Sequence, residues 1–262
     1  MNINYNFSRS KSYNERVRFL ILHYTAGNFE ISLKELTTNV SSHYLIPLNK
    51  NDDPSYPLNE VQIINIVDEK NRAWHAGVSA FQDRVNLNDS SIGIEIVNLT
   101  KTIENFLPYP DYQINLIIEL CQNILARHQD IIPQRVLGHS DIAFDRKSDP
   151  GALFPWKKLY DSGIGAWFDD DTVVQYKQAL QKGLVTLDTA YEKIQEYGYC
   201  VDRHNTYCKK INKNKLVRAF QMHFRASKYD GILDEETASI MLALWTKYTA
   251  NGRFVFDVEY GL

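Results

Sequence analysis

Residues 1–170 alternate short apolar runs with longer segments of helical periodicity, and this alternation constrains the fold more than any other feature of the chain. Five runs are predicted as strands: VRFLILHY (17–24), HYLIPL (43–48), VQIINIV (61–67), SIGIEIV (91–97) and RVLGH (135–139). Helices are predicted over about Phe29 to Asn39 and from Tyr112 to Gln129, where apolar residues form a stripe. The pattern predicts an α/β domain built around a sheet.

The pattern changes after GIGAWFDDD (163–171), where glycine and acidic residues interrupt the apolar periodicity. Beyond this point the helix-like stretches are 172–182, 188–197, 212–226 and 234–249, and the last begins at Asp234 with acidic residues in its first turn. We therefore expect a first domain over 1–170, a small helical domain over 171–250, and a C-terminal tail, 251–262, without a clear assignment.

The charge balance argues against a nucleic-acid partner, because 29 Lys and Arg face 32 Asp and Glu, a formal net charge of −3. No run approaches the roughly 18 apolar residues of a membrane span. The first residues, MNINYNFSRSKSYNERVR, are too polar for a secretory signal. The sequence as given predicts a soluble chain without a membrane span, and it leaves a removed export signal or lipid anchor open.

Two histidines and one aspartate stand where strands are predicted to end. His23 closes the run FLIL, His139 follows RVLG, and Asp149 comes ten residues later, before a Pro-Gly turn. Ligands bind at the carboxyl ends of strands in open α/β sheets. Two imidazoles and one carboxylate suit Zn²⁺ and leave a fourth position for water. A lone histidine on a strand is more often structural, so spacing alone leaves that alternative open.

Glu95 is unusual because it lies inside an apolar strand. In SIGIEIV the isoleucines share one face, while Ser91, Gly93 and Glu95 share the other. A buried carboxylate has a raised pKa, which suits a general base. Gly93 is predicted to leave room for a ligand or for backbone to approach closely. The alternative is a strand whose second face is solvated.

Lys147 precedes Asp149 by two residues, so in an extended segment the two side chains lie on the same side. Its ammonium could then reach a substrate oxygen near a metal held by Asp149. The alternative is a solvated charged turn, and we expect Asp145 and Arg146 to be solvated in this way.

Six blocks in this order resemble a known family: ILHYTAG, VSSHYLIP, AWHAGVSAF, LNDSSIGIEI, GHSDIAFDRKSDPG and LFPWKKL. The chain is similar to the type 2 zinc N-acetylmuramoyl-L-alanine amidases, which include AmpD and the peptidoglycan-recognition proteins. Residues 218–248, RAFQMHFRASKYDGILDEETASIMLALWTKY, resemble the three-helix peptidoglycan-binding domain of AmiD-like members. The resemblance implies a central mixed β-sheet flanked by helices, followed by a small all-α three-helix domain.

The resemblance also implies a site and a reaction. It implies His23, His139 and Asp149 as ligands of one Zn²⁺, Glu95 as general base and Lys147 as the group that stabilises the oxyanion. The implied reaction is hydrolysis of the amide between N-acetylmuramic acid, ordinary or anhydro, and the L-alanine of the stem peptide. The implied partners are peptidoglycan and muropeptides.

Substrate-binding positions are expected at Tyr24, Trp74, His75 and Arg84, with His75 in the wall of the cleft. Relatives often carry a basic residue where this chain has Asn86, so the resemblance does not fix which stem peptide is preferred.

The other histidines and the cysteines are expected to be structural. They are His43, which could also support the site, and His128, His204 and His223, with Cys121 in the core. Cys200, His204 and Cys208 lack a fourth ligand, so no second zinc site is predicted, while a Cys200–Cys208 disulfide stays open.

Two alternatives to an envelope or periplasmic enzyme remain at this point. One is a recognition protein that binds muropeptides without cutting them, although all five implied site positions carry the residue that an active enzyme needs. The other is a cytoplasmic enzyme that recycles soluble anhydro-muropeptides. The wall-binding resemblance of the C-terminal region favours the cell envelope, with or without association to the outer membrane.

Overall fold

The computed structural model describes residues 3–4, 10–12, 14–199 and 212–255. Its strands are β1 (Phe19–Tyr24), β2 (Tyr44–Ile46), β3 (Ile64–Asn65), β4 (Ala80–Phe81), β5 (Arg84–Val85), β6 (Ser91–Ile96) and β7 (Val136–Gly138). Its α-helices are α1 (Phe29–Thr38), α2 (Asp111–Arg127), α3 (His139–Ile142), α4 (Trp156–Asp161), α5 (Asp170–Gln181), α6 (Leu187–Tyr197), α7 (Lys213–Phe224) and α8 (Glu235–Tyr248).

The main sheet has the strand order β3-β2-β6-β1-β7. Strand β1 lies between β6 and β7 and is parallel to both, β2 is parallel to β6, and β3 runs antiparallel at the edge. The predicted mixed sheet flanked by helices is confirmed. Because four parallel strands share one direction, their carboxyl ends meet at one edge of the sheet, where ligands usually bind.

The alternation of side chains along β1 divides the core between the two faces of the sheet. Leu20 and Leu22 pack in a cluster with the buried stripe of α2 and with α4. Phe19 and Ile21 pack on the opposite face, in a cluster that includes residues of α5 to α8. His23 follows in the same alternation, so its imidazole belongs to the face that the C-terminal helices cover.

The helices after Asp170 therefore share a hydrophobic core with the sheet. Tyr176 of α5, Phe220 of α7 and Leu242 of α8 belong to the same buried cluster as Ile21 of β1. The four predicted helical stretches correspond to α5–α8, whereas the family resemblance implied three helices. The predicted start of the last helix is confirmed, because the Asp234 side chain accepts a hydrogen bond from the backbone N–H of Thr237.

Some sequence predictions differ from the structure in extent or type. The strand predicted over 61–67 is only Ile64–Asn65, and His139 begins α3 instead of ending β7. The short β4–β5 hairpin and α4 were not predicted, because segments of two to six residues carry too little periodicity to detect. Cys200, His204 and Cys208 lie outside the described residues, so the possible disulfide stays untested.

Candidate active site

Strand register brings two of the predicted site residues side by side. His23 on β1 and Glu95 on β6 occupy paired positions near the carboxyl ends of neighbouring parallel strands. His139 follows the last residue of β7, on the other side of β1. Asp149 approaches from the next loop, where the backbone N–H of Ser140 donates to the Asp149 carbonyl at 2.9 Å. Three strands and one loop thus build the site.

The side chains of His23, His139 and Asp149 converge on one point. The two imidazole Nδ1 atoms are 2.9 Å apart, and each lies 3.0 Å from Oδ2 of Asp149. All three residues are buried. Within the described part of the chain, this is the group of three side chains with the geometry of a metal site.

The hydrogen of the His139 imidazole lies on the far side of that point. Nε2 of His139 is 3.1 Å from the carbonyl oxygen of Ala76, which can only accept, so this Nε2 carries the hydrogen. Nε2 of His23 faces Nδ1 of His75 at 3.0 Å. Burial, followed by the neighbouring His139, lowers the pKa of His23 to about 4, so its ring is neutral at pH 7. Burial opposes ionisation of the Asp149 carboxyl group. The neighbouring His139 and His23 outweigh burial and hold the pKa of Asp149 well below its usual range.

The Nδ1 lone pair of His139 therefore faces a carboxylate oxygen of Asp149, which is unfavourable unless a cation or a proton lies between them. Tetrahedral Zn²⁺ with bond lengths of about 2.0–2.2 Å has neighbouring ligands about 3.3–3.6 Å apart. The observed separations of 2.9 and 3.0 Å are a few tenths of an ångström shorter. The donor set and its spacing fit zinc.

Glu95 is half-buried, and one oxygen of its carboxyl group is fully enclosed. This Oε2 atom has no hydrogen-bond partner among the described residues. Burial, with a further contribution from Asp149, raises the pKa of Glu95 to about 8, while the ammonium of Lys147 opposes that rise. A carboxylate with a raised pKa in a cleft has the properties of a general base.

A cleft of about 320 Å³ opens beside these groups. Glu95, His139 and Asp149 line it, as does Lys147, whose ammonium has no hydrogen bond or ion pair to a described residue. Tyr24, Trp74 and His75 also line the cleft. The Trp74 ring is 60% exposed, and the Tyr24 hydroxyl lies 3.2 Å from the Ser148 hydroxyl.

Arg84 is not among the described residues that line the cleft; it lies on the β4–β5 hairpin near Asp83, and its contact with substrate stays a prediction. Two other sequence predictions at the site need correction. Arg146 is exposed but not free, because its guanidinium donates to the carbonyls of Ala76 at 2.7 Å and Val78 at 2.5 Å.

The second correction concerns Gly93. It leaves room for a side chain of the chain itself, because a Cβ there would be only 2.4 Å from Cγ of His75. His75 is therefore packed on the strand, with burial and then His23 lowering the pKa of its ring well below 6.5.

Several residues that support the site were not identified from the sequence. Asn88 accepts from the backbone N–H groups of His75 and Ala76 through Oδ1, at 3.1 and 2.7 Å. Tyr109 donates from its hydroxyl to the carbonyl of Pro150 at 2.8 Å. Asp141 is completely buried. Asp141 could have been noticed in the sequence, because it is a charged residue two positions after the candidate ligand His139. Its hydrogen-bond partners are distant in sequence and could not be inferred.

The other histidines that the structure describes, His43, His128 and His223, have partners away from the metal site. Nδ1 of His43 accepts from the backbone N–H of Gly93 at 3.0 Å, and His128 lies 2.8 Å from a carboxylate oxygen of Glu69. His223 is buried against Asp141. No helix in the described ranges has both the length and the apolar character needed to cross a bilayer.

Comparison with known proteins gives consistent matches. The profile of a family described as N-acetylmuramoyl-L-alanine amidase matches residues 13–152. The N-acetylmuramoyl-L-alanine amidase AmiD of Escherichia coli K12 is 42% identical over 240 residues, which are 89% of this chain and 84% of AmiD.

Two solved structures share the fold over almost the whole chain. AmpDh3 from Pseudomonas aeruginosa, in complex with anhydromuramic pentapeptide, is 48% identical with a TM-score of 0.87, covering 95% of this chain and 99% of that one. AmiD from E. coli, in complex with anhydro-N-acetylmuramic acid-L-Ala-D-gamma-Glu-L-Lys, is 38% identical with a TM-score of 0.78. That match covers 92% of this chain and 93% of AmiD.

Proposed function

The chain belongs to the N-acetylmuramoyl-L-alanine amidase family, and from that premise we propose a zinc-dependent hydrolase that cuts muropeptides. The bond is the amide between N-acetylmuramic acid and the L-alanine of the stem peptide. The observation that carries the proposal is the buried convergence of His23, His139 and Asp149, with Glu95, whose Oε2 has no partner among the described residues, in the same cleft. Solved relatives bind anhydromuramyl peptides, which supports muropeptides as the substrate class.

His23, His139 and Asp149 would hold the zinc ion through Nδ1, Nδ1 and Oδ2. When bound, zinc supplies Lewis acidity that activates water and polarises the scissile carbonyl. The protein contributes the fixed orientation of the ligands, because the far nitrogen of each imidazole is already hydrogen-bonded.

Glu95 is proposed as the general base. Its carboxylate accepts a proton from the attacking water and returns it to the nitrogen of L-alanine as the amide bond breaks. Its Oε2 atom is free to do so, because no described residue occupies it. The low polarity that raises the pKa of Glu95 also makes the carboxylate a stronger base toward water.

Lys147 is proposed to stabilise the charge that develops on the carbonyl oxygen. It lines the same cleft as Glu95 and Asp149, and its ammonium is not bound to a described residue. Removing a comparable oxyanion donor costs on the order of 10²–10³ in kcat. Tyr24 and Trp74 are proposed to hold the muropeptide along the cleft wall.

The proposal is tested by release of free stem peptide from purified peptidoglycan. We expect release by the zinc-loaded protein, loss of release with a chelator, and no turnover by a folded Glu95→Gln variant that still binds zinc. A zinc-loaded protein that binds peptidoglycan but releases nothing would instead support a non-catalytic recognition protein. Release that is insensitive to chelator would refute the metal mechanism.

Residues 171–250 are proposed to bind the peptidoglycan polymer, which favours a location in the cell envelope or periplasm over the cytoplasm. The support is the resemblance of residues 218–248 to a wall-binding domain. Co-sedimentation of the full chain with intact sacculi tests this proposal, with Glu95→Gln used to prevent digestion. Failure to co-sediment, with normal cleavage of soluble anhydro-muropeptides, would favour the recycling alternative.

A further inference from the structure

The outer hydrogen bonds of both candidate zinc histidines come from one short segment, residues 75–76. Nε2 of His23 is 3.0 Å from Nδ1 of His75, and Nε2 of His139 is 3.1 Å from the carbonyl oxygen of Ala76. The Asn88 side chain fixes this segment by accepting from both of its backbone N–H groups. One loop therefore controls the orientation of two imidazoles that reach the site from different strands.

A series of hydrogen bonds runs from His23 through His75 to Ser91, and Ser91 determines which atom donates in each bond. The Ser91 hydroxyl lies 2.6 Å from the carbonyl oxygen of Leu87, which has no hydrogen to donate. The single hydroxyl hydrogen is therefore used in that bond. Because Nε2 of His75 is also 3.1 Å from the Ser91 oxygen, the hydrogen between them must come from the imidazole.

The same reasoning extends to the metal site. A neutral His75 ring with its hydrogen on Nε2 has a lone pair on Nδ1. This lone pair accepts the hydrogen on Nε2 of His23. His23 then presents a lone pair from Nδ1 toward Asp149 and His139, as a metal ligand must. The opposite tautomer of His23 would place a hydrogen inside the site.

We propose that Ser91 and His75 are positioning residues that set the tautomer of His23 for metal binding, so that His75 acts on the metal ligand rather than on the substrate. The inference rests on the proposed zinc site. His139 obtains the same orientation from a backbone carbonyl. His23 needs a side-chain partner because its ring faces the His75 imidazole instead of a carbonyl.

Three residues on one face of strand β6 accommodate His75 and the cleft. Ser91 receives the His75 hydrogen bond, and Gly93 provides the space for the ring, since a Cβ would lie 2.4 Å from it. Glu95 comes next on the same face, in the cleft. His75 and Ser91 are both buried, which matches a supporting role better than contact with a polymer.

The first test compares zinc affinity in two serine variants of the full chain, by competition with a chromophoric chelator. Ser91→Ala removes the acceptor for His75 and should weaken zinc binding by about 10–100-fold, the range for lost outer-shell partners. Ser79→Ala is the matched control, because Ser79 is also buried and bonds the N–H of Leu87 at 3.0 Å, but is not bonded to His75. It should retain wild-type affinity.

An unchanged zinc affinity in Ser91→Ala, or an equal loss in both variants, would overturn the positioning role of Ser91 and His75. If the wild-type chain binds no zinc, the proposed function fails. If the wild-type chain binds zinc and Ser91→Ala binds it as tightly, only the positioning role fails.

A second measurement does not depend on a variant that folds. Nitrogen–proton correlation spectra of the zinc-loaded wild-type chain report the tautomer of the His75 ring. We expect its hydrogen on Nε2. A hydrogen on Nδ1 of His75 would overturn the inference, whatever the serine variants show.

Discussion

His223 on α7 donates a hydrogen bond from Nδ1 to Oδ2 of Asp141 at 2.7 Å, although the residues are 82 positions apart. The same carboxylate oxygen accepts from the backbone N–H of Gly138 at 2.7 Å, directly before His139. Its other oxygen accepts from the hydroxyl of Tyr199 at 2.6 Å. The C-terminal helices are thereby linked to the segment that carries a candidate zinc ligand.

We predict that His223→Phe lowers the free energy of unfolding by about 1.5–3 kcal/mol, because a buried carboxylate loses one hydrogen bond. Phenylalanine keeps the stacking against Trp156 and Phe224, whose ring centroids are 3.8 and 3.9 Å away. Urea unfolding measures the change. Tyr199→Phe removes another donor to Asp141 and should act in the same direction. Wild-type stability in both variants would contradict a supporting role for Asp141.

We also predict that Gly93→Ala displaces His75 and weakens zinc binding. The new Cβ would be 2.4 Å from Cγ of His75, so the ring has to move. Overpacking of this kind costs typically about 1–3 kcal/mol of stability. Gly27→Ala is the control, because its nearest neighbour would be an ordinary 3.4 Å away. Thermal unfolding and zinc titration of both variants test the prediction, which fails if Gly93→Ala matches the control.

The sequence could predict that His23 and His139 lie close together, because both follow apolar strand patterns and neighbouring strand ends meet at one edge. The strand pattern alone left a structural role for each histidine open, and the roles as metal ligands came from the family resemblance. The partners of Asp141 and the contact between the His75 and His23 rings could not be predicted. They depend on how α7 and the loop before β4 pack on the sheet, and no local periodicity encodes those distances.

We predict that the stability of the metal-free wild-type protein, measured relative to the metal-free Glu95→Gln variant, falls as pH rises. Burial raises the pKa of Glu95 to about 8, above the usual 4.5. Between these values the folded chain keeps a proton that the unfolded chain releases, so the stability that Glu95 contributes falls with increasing pH, by at most about 1.4 kcal/mol per pH unit. Melting temperatures from pH 5 to 8 measure the difference. A gap between the two proteins that does not change with pH would contradict the raised pKa.

We predict that acid removes the stabilisation that ionised Glu69 gives to the folded chain. Burial opposes ionisation, but hydrogen bonds from Arg127, His128 and Tyr44 outweigh it and hold the pKa of Glu69 at about 2. This stabilisation is complete above the ordinary pKa of 4.5 and is lost as pH falls toward 2. The melting temperature of wild type should therefore exceed that of Glu69→Gln at pH 6, and the gap should close by pH 2. A gap that widens in acid would show the opposite sign.

Arg146 shows why the solvated parts of the site were harder to predict. Its sequence context, DRK, is typical of a charged turn, and the side chain is indeed exposed. Its hydrogen bonds to Ala76 and Val78 join two loops about 70 residues apart. The sequence around an exposed arginine is the same whether its guanidinium donates to backbone carbonyls or to water, so the sequence cannot distinguish the two cases.

The most direct test of the account uses anhydro-N-acetylmuramic acid-L-Ala-D-gamma-Glu-L-Lys, the ligand in the solved AmiD complex, as substrate. Mass spectrometry of the products locates the bond that is cut. The account predicts a free tripeptide with an N-terminal L-alanine, formed by the zinc-loaded chain, absent after metal removal and restored by added zinc. Intact substrate with the zinc-loaded chain, or cleavage that persists in the metal-free chain, would contradict it.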